Sequence, residues 1–167
     1  MPNALAAVPV VAALLLLGAG ISKVITPSSA VSGLVAVGMP VTTWLVRVGA
    51  LAEAVLGLVN LIGASAMARV LMVVSYLCFA IYLQIARRSP AVKSCGCFGE
   101  RGSPPTVRQV IVDLLIAIGC GASIVAGCPS LPSVISAHVL FGVLFTMLCV
   151  LTAWLATFVL DSPVSEV

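Results

Sequence analysis

The sequence has little charge, one histidine and few aromatic residues. Of its 167 residues 8% are charged and 5% are aromatic, whereas 62% are apolar. A soluble domain is about 25% charged, so this chain cannot cover a soluble surface with polar groups. Its eight basic residues are too few for a basic face that binds nucleic acid. These shortages exclude an ordinary soluble domain, a disordered chain and a nucleic-acid binder, and they indicate a membrane protein whose partner is the lipid bilayer.

Long apolar runs are what the sequence has instead. A helix needs about 20 apolar residues to cross the hydrocarbon core. Five runs meet this requirement, at about 4–25, 41–64, 67–86, 107–127 and 134–160. Backbone polar groups in lipid must be paired within their own segment, so these runs are predicted to be helices. We therefore expect an all-α membrane protein with about five transmembrane helices and a single domain over 1–167.

The connections between the runs contain helix-breaking residues. Such clusters occur at Thr26–Ser29, at Met39-Pro40 and at Cys128–Pro132. The second and third runs are joined by almost nothing, which predicts a tight antiparallel hairpin. The first run has no charged residue before Lys23, so we expect it to be a retained helix and not a cleaved signal peptide.

The basic residues are concentrated at one end of the predicted bundle. With five spans, the 24–40 and 87–106 connections lie at one end, here called the loop end. The 65–66 and 128–133 connections lie at the other, the far end. The loop end has six basic residues near it and the far end has Arg69 alone; the six are Lys23, Arg87, Arg88, Lys93, Arg101 and Arg108. The positive-inside rule then predicts a multi-pass protein of the cell membrane with the 87–106 loop in the cytoplasm.

The 87–106 loop, RRSPAVKSCGCFGERGSPPT, contains two cysteines separated by one glycine, Cys95 and Cys97. Bridged Cα atoms lie about 4.4–6.8 Å apart, so a Cys-x-Cys disulfide requires a tight turn, and Gly96 permits the torsions of such a turn. A strained disulfide is easily reduced, as catalytic bridges are. The surrounding cations favour the thiolate. We predict that Cys95 and Cys97 are a catalytic redox dithiol.

Other interpretations of the cysteines remain open. A zinc site needs about four ligands, and the loop has no further Cys or His, so no metal is expected within one chain. The pair is alternatively a metal or cluster site shared by two chains, or simply two small apolar residues. Cys78, Cys120 and Cys149 are single cysteines within spans, which usually act as small hydrophobes. Cys120 and Cys128 are nevertheless candidate relay thiols on the fourth span.

Several polar side chains fall within the predicted spans, where they are costly and suggest function or pairing. A structural polar cluster is expected at the loop end, formed by Lys23, Arg47, Gln84, Arg108 and Asp113. Depth and charge favour an ion pair between Arg47 and Asp113. Such residues either lock the bundle together or, as Lys23 and Arg108 can, extend to the interface.

Glu53 lies near mid-membrane in the second run. Ala50, Ala54 and Gly57 surround it, and such small residues let another helix approach closely. Asn60 is on the same face. Glu53 is therefore a candidate cofactor-binding residue, beside a head group such as a quinone ring, and a purely structural role is the alternative. No other cofactor is indicated.

The sequence resembles the MauE family, within the DoxX-like group of small membrane proteins. Four stretches between about 15 and 126 carry the resemblance: Gly18–Val24 with Pro27 after it, Glu53–Gly57, Cys95–Gly99, and Arg108 with Asp113. It implies a four-helix core similar to proteins of the DsbB and vitamin K epoxide reductase type, plus a C-terminal helix. It also implies a thioredoxin-fold partner and working residues Cys95 and Cys97. The founding member of the family looks to serve maturation of the disulfide-rich subunit of methylamine dehydrogenase.

Three functions remain open at this point. The first is thiol–disulfide exchange, as an oxidoreductase or its accessory, for a thioredoxin-fold partner or a client enzyme. The second is a non-catalytic membrane scaffold, and the third is a carrier that binds a quinone or another small molecule. Disulfide formation usually places the thiols outside the cell, whereas the charge count places this loop inside. Nothing in the sequence names the client, the electron donor or the electron acceptor.

Overall fold

The computed structural model describes residues 6–63, 65–92, 104–128, 131–137 and 139–161, and within these ranges the secondary structure is helical. The helices are α1 Ala7–Ile25, α2 Ser28–Ala36, α3 Thr43–Ile62, α4 Ala66–Ala86, α5 Val107–Val125, α6 Leu131–Ala137 and α7 Val139–Asp161. Five of them, α1, α3, α4, α5 and the Val139–Thr157 part of α7, are long and apolar enough to cross a membrane. The prediction of an all-α membrane protein with five transmembrane helices is confirmed.

Helix α2 lies inside the 24–40 connection, where the sequence predicts only a break. Pro27 has no N–H, so it ends α1, yet its carbonyl accepts the first bond of α2 from Val31 N at 2.9 Å. Gly38, with a φ of 91°, ends α2 in the left-handed region. Pro27 belongs to a predicted breaker cluster and Gly38 does not, and the apolar residues between them form a helix of two and a half turns.

The predicted fifth helix is divided in the structure. Helix α6 begins at Leu131, three residues before the predicted start, and ends at Ala137, and α7 begins at Val139. Pro132 is tolerated because it lies in the first turn of α6, where no helical N–H bond is lost. A Cβ at Gly142 would lie 2.5 Å from the Ile135 Cα, so α6 folds back onto the start of α7. The prediction of one continuous helix over 134–160 is therefore wrong.

Helix α1 is the centre of the bundle, with α3, α5 and α7 packed around it, and α4 packs against α5. A buried cluster joins α1 to α4 and α5, and it comprises Ala12, Ala13, Leu16, Met72, Tyr76, Ala117 and Cys120. The Tyr76 hydroxyl donates a hydrogen bond of 2.7 Å to the Ala12 carbonyl, so the phenol is satisfied within the core. The outer faces of the helices are exposed and apolar, as lipid-facing surfaces are.

Two glycines set the close contact between α1 and α3. A Cβ at Gly20 would lie 2.6 Å from the Ala50 carbonyl oxygen, and a Cβ at Gly57 would lie 2.7 Å from the Ala13 carbonyl oxygen. The two helices therefore touch backbone to backbone, which only small residues allow. The expectation that Ala50, Ala54 and Gly57 admit a second helix is confirmed, and that helix is α1.

Candidate functional site: an ion pair between two cavities

The centre of the polar region is an ion pair between α1 and α3. Lys23 Nζ donates a hydrogen bond to Glu53 Oε2 at 2.7 Å. The two side chains are 11% and 21% exposed, so the pair lies inside the bundle. Charged side chains this far inside a membrane protein are retained where they are paired or do chemical work.

The antiparallel arrangement of α1 and α3 explains why these two side chains meet. Side chains on a helix lean toward its N-terminus. Lys23 lies near the loop end of α1 and leans toward the far end, whereas Glu53 lies deeper in α3 and leans toward the loop end. At 1.5 Å per residue, Glu53 is about 15 Å along α3 from Thr43, so the pair is close to mid-membrane.

An aromatic side chain of α4 covers the ammonium group. Lys23 Nζ lies 4.7 Å from the centroid of the Phe79 ring, a distance at which the ring face attracts a cation. Tyr76 packs edge-on against Phe79, with the ring centroids 6.0 Å apart. The cation is therefore held by a carboxylate from α3 and a ring face from α4.

The larger cavity at this site lies among α1, α2, α3 and α4 and has a volume of about 340 Å³. Lys23 and Glu53 form its polar wall, and Cys78, Phe79 and Tyr82 line it from α4. Most other lining residues are apolar, among them Leu34 of α2 and Leu45 of α3. The volume falls within the range of about 300–1,000 Å³ that is typical of ligand pockets.

The smaller cavity has a volume of about 50 Å³ and lies among α1, α4 and α5. Its polar lining residues are Lys23, Tyr76, Gln109 and Asp113. Lys23 lines both cavities, so the ion pair stands between them.

The structure brings together only part of the polar cluster that the sequence predicts. Lys23 and Asp113 line the same cavity, while Gln84 and Arg108 are half-buried near the loop end. Arg47 is exposed on α3, and its guanidinium has no ion pair among the residues that the structure describes. The expected pairing of Arg47 with Asp113 is therefore wrong, because α3 packs on α1 and α5 packs on α4. Glu53 on α3 forms its ion pair with Lys23 on α1 instead.

Two features of the site were missed. Gln109 is buried and lines the smaller cavity, and its side chain accepts from Thr106 N at 2.9 Å in a capping box that begins α5. The Thr-x-x-Gln spacing was a signal that could have predicted this cap. Phe79, by contrast, carries no sequence signal for a contact with Lys23.

Cys95 and Cys97 lie outside the described residues, as do Lys93 and Arg101. What the structure gives is the position of the segments that lead to them. On one side, Val92 is buried and Ser89 Oγ donates to the Ala36 carbonyl at 3.5 Å, which joins the end of α4 to the end of α2. On the other side, Thr106 caps α5. Both segments are therefore attached to the loop end of the bundle.

The four cysteines within the described ranges are free thiols in different surroundings. Cys78 is exposed and lines the larger cavity. Cys120 is fully buried in the core, and Cys128 and Cys149 are also buried. The relay role considered for Cys120 and Cys128 stays a prediction.

At the far end, Arg69 fixes the end of α5. Its guanidinium donates to the Ser123 carbonyl at 3.3 Å and to the Cys128 carbonyl at 2.5 Å. The side chain is buried, and it adds a second hydrogen bond to the Ser123 carbonyl, which also accepts from Cys128 N at 3.1 Å, and joins α5 to the segment that follows it. Asn60 Nδ2 donates to the Ala68 carbonyl at 3.1 Å and so joins α3 to α4 nearby.

A family model described as "Methylamine utilisation protein MauE" matches residues 1–155. No curated protein and no solved structure matches the chain.

Proposed function

The chain belongs to the MauE family, and from this premise we propose that it is a membrane protein that handles thiol–disulfide exchange for a thioredoxin-fold partner or a client enzyme. Cys95 and Cys97 are the proposed working pair. In disulfide formation their two thiols lose two electrons and two protons to an acceptor, and the new bond then passes to a partner dithiol by exchange. In the opposite direction, the pair carries electrons from a partner.

The observation that carries this proposal is the position of the described residues that precede and follow Cys95 and Cys97. The segments that lead to Cys95 and Cys97 are attached to the loop end, where Ser89 bonds to α2 and Thr106 caps α5. Helix α2 also lines the larger cavity. The described residues on both sides of the paired thiols therefore lie at the end of the bundle where α2 lines the larger cavity, and this supports the proposal.

Alkylation tests the proposal directly. Protein in native membranes is treated with a mass-tagged maleimide with and without prior reduction. We expect Cys95 and Cys97 to gain two tags only after reduction, and the matched variant Cys78→Ser to behave in the same way. If both thiols are tagged without reduction, even after exposure to a quinone or to oxidised partner, the proposal fails.

A scaffold role makes the opposite prediction for the client. A variant in which Cys95 and Cys97 are both serine should then support client maturation as well as the native protein does. Loss of client disulfides in that variant supports thiol exchange and rejects the scaffold.

The cavity of about 340 Å³ favours a second candidate function, the binding of a quinone. A quinone ring has the neutral, largely apolar surface that this cavity would bury, and its carbonyl oxygen would accept a hydrogen bond from Lys23 Nζ. When bound, a quinone supplies an acceptor for two electrons and two protons. Lys23 would orient the ring, and the apolar walls from α2 and α3 would exclude water.

Binding of a short-chain benzoquinone to purified protein tests this candidate. Gly49 lines the cavity, so Gly49→Leu should fill it and weaken binding while leaving the ion pair intact. Gly18 has open space around it, and Gly18→Leu is the matched control that should bind normally. If Gly49→Leu and Gly18→Leu bind the benzoquinone equally well, the larger cavity is not the quinone site.

The side of the membrane on which the loop lies is also part of the proposal. The charge count favours the cytoplasm. A membrane-impermeant thiol reagent applied to intact cells should then leave Cys95 unlabelled and should label it after the cells are opened. Labelling of Cys95 in intact cells would show that the loop lies on the outer side of the membrane instead.

A further inference from the structure

We propose that the smaller cavity is a water-filled proton path that connects Asp113 to the Lys23–Glu53 pair, and that Lys23 passes protons from it into the larger cavity. This adds to the proposed function and rests on it only for the use to which the protons are put.

The smaller cavity has both the room and the polar groups that buried water requires. Its volume of about 50 Å³ holds a few waters, since one water occupies about 10–15 Å³ on this measure. A buried water also needs two to four polar partners. Lys23, Gln109 and Asp113 supply donors and acceptors from two helices, and the Tyr76 hydroxyl lies in the same wall.

The depths of the acidic groups give the path a direction. Asp113 lies six residues into α5, about 9 Å from its start, whereas Glu53 lies about 15 Å into α3. Asp113 is therefore closer to the loop end and Glu53 closer to mid-membrane. Water between them would connect the surface side of the bundle to its interior.

Lys23 and Phe79 line both cavities, and of these two side chains only Lys23 can carry a proton between them. Its ammonium has three N–H donors. One of them donates the hydrogen bond of 2.7 Å to Glu53 Oε2. The other titratable groups around it are Tyr76, Cys78 and Tyr82 on α4 and Asp113 on α5.

The transfer conserves both protons and charge. Lys23 Nζ would give one proton to a base in the larger cavity, such as a reduced quinone. Water in the smaller cavity then returns one proton to Nζ, and Asp113 returns one to the water. Asp113 then takes a proton from solvent at the loop end, so each proton that leaves Lys23 is replaced and the ion pair regains its charges.

Lysine-selective NMR tests this path, because the chain has only two lysines, Lys23 and Lys93. The full chain is labelled with ¹⁵N-lysine and placed in lipid nanodiscs, and Lys93→Arg assigns the two ammonium signals. We expect a cross-peak between the Lys23 ammonium protons and water, and measurable exchange of these protons with solvent. A Lys23 ammonium without a water cross-peak overturns the proposal.

Two kinds of variant separate a path from a merely structural role. Ala19 lines the smaller cavity, so Ala19→Leu should displace the water, remove the cross-peak and slow exchange without altering any titratable group. Val112→Leu fills the same cavity from α5 with one added carbon if Ala19→Leu does not fold. Gly18→Leu, one residue away on α1 in open space, should change nothing.

Asp113→Asn should keep the cross-peak but slow exchange by about 10²-fold, the lower end of what a positioned proton donor contributes. Asp113→Glu should restore the rate. Exchange that is unchanged in Asp113→Asn, or unchanged when the cavity is filled, overturns the proposal. The outcome does not depend on Cys95 and Cys97, so it is separate from that of the alkylation experiment.

Discussion

Removing one member of the Lys23–Glu53 pair should destabilise the fold more than removing both. In Lys23→Met the Glu53 carboxylate stays inside the bundle without its cation. Breaking a buried pair costs about 3–5 kcal/mol, and a charge at the centre of a membrane helix costs about 2.5–3.5 kcal/mol. The pair retains 11% and 21% exposure, so we expect the lower end, about 3 kcal/mol in the free energy of unfolding.

The double variant Lys23→Met with Glu53→Gln leaves no charge at the site. Replacing a buried pair by uncharged groups of similar volume is often neutral, so we expect the double variant to lie within about 1 kcal/mol of the native protein. The coupling energy of the double-mutant cycle should then be about 2 kcal/mol or more.

Reversible unfolding in mixed detergent micelles, followed by circular dichroism, measures these differences. Arg47→Met is the matched control, since Arg47 is an exposed cation on the same helix as Glu53 and its removal should leave stability unchanged. If the two single substitutions add without coupling, Lys23 and Glu53 do not act as a pair and the structural reasoning is refuted.

Three further predictions use the same purified protein. Gly57→Ala should destabilise the α1–α3 contact by about 1–3 kcal/mol, because its Cβ would lie 2.7 Å from a backbone oxygen; Gly49→Ala, in open space, should not. Arg69→Met should cost about 1–3 kcal/mol by removing the buried guanidinium donor to the Cys128 carbonyl, and limited proteolysis should then cut near 126–133. A lipid-soluble maleimide should alkylate the exposed Cys78 well before the buried Cys120, and equal rates would contradict the burial of Cys120.

The transmembrane helices could be predicted because the signal for each is local. A run of about 20 apolar residues has one structural solution in lipid. Smaller elements depended on contacts instead. Helix α2 lies between breakers at Pro27 and Gly38. Its apolar residues indicate a helix only when the larger cavity that they line is known. The division between α6 and α7 depends on the contact of Gly142 with Ile135.

The sequence pointed to Lys23, Glu53 and Asp113 as polar residues within the spans, but not to their pairing and not to Gln109 or Phe79. Sequence gives the depth of Lys23, Glu53 and Asp113 along their own helices, and depth alone favours a partner at the same level. Depth along a helix does not say which other helices pack against it. The close contact at Gly20 and Gly57 places α1 against α3, and that contact decides which lysine reaches Glu53. Small residues on both helices were the available signal.

Arg69 has a consequence for how the molecule sits in the bilayer. Its guanidinium is occupied by the carbonyls at the end of α5, so it is withdrawn from the phosphates of the adjacent leaflet. Arg87 and Arg88, in contrast, are exposed at the loop end. Each cation near an anionic leaflet gains about 1 kcal/mol from its head groups. Among the described residues, the attraction of exposed cations to lipid head groups therefore acts at the loop end, and the leaflet at that end fixes how deep the bundle lies in the membrane.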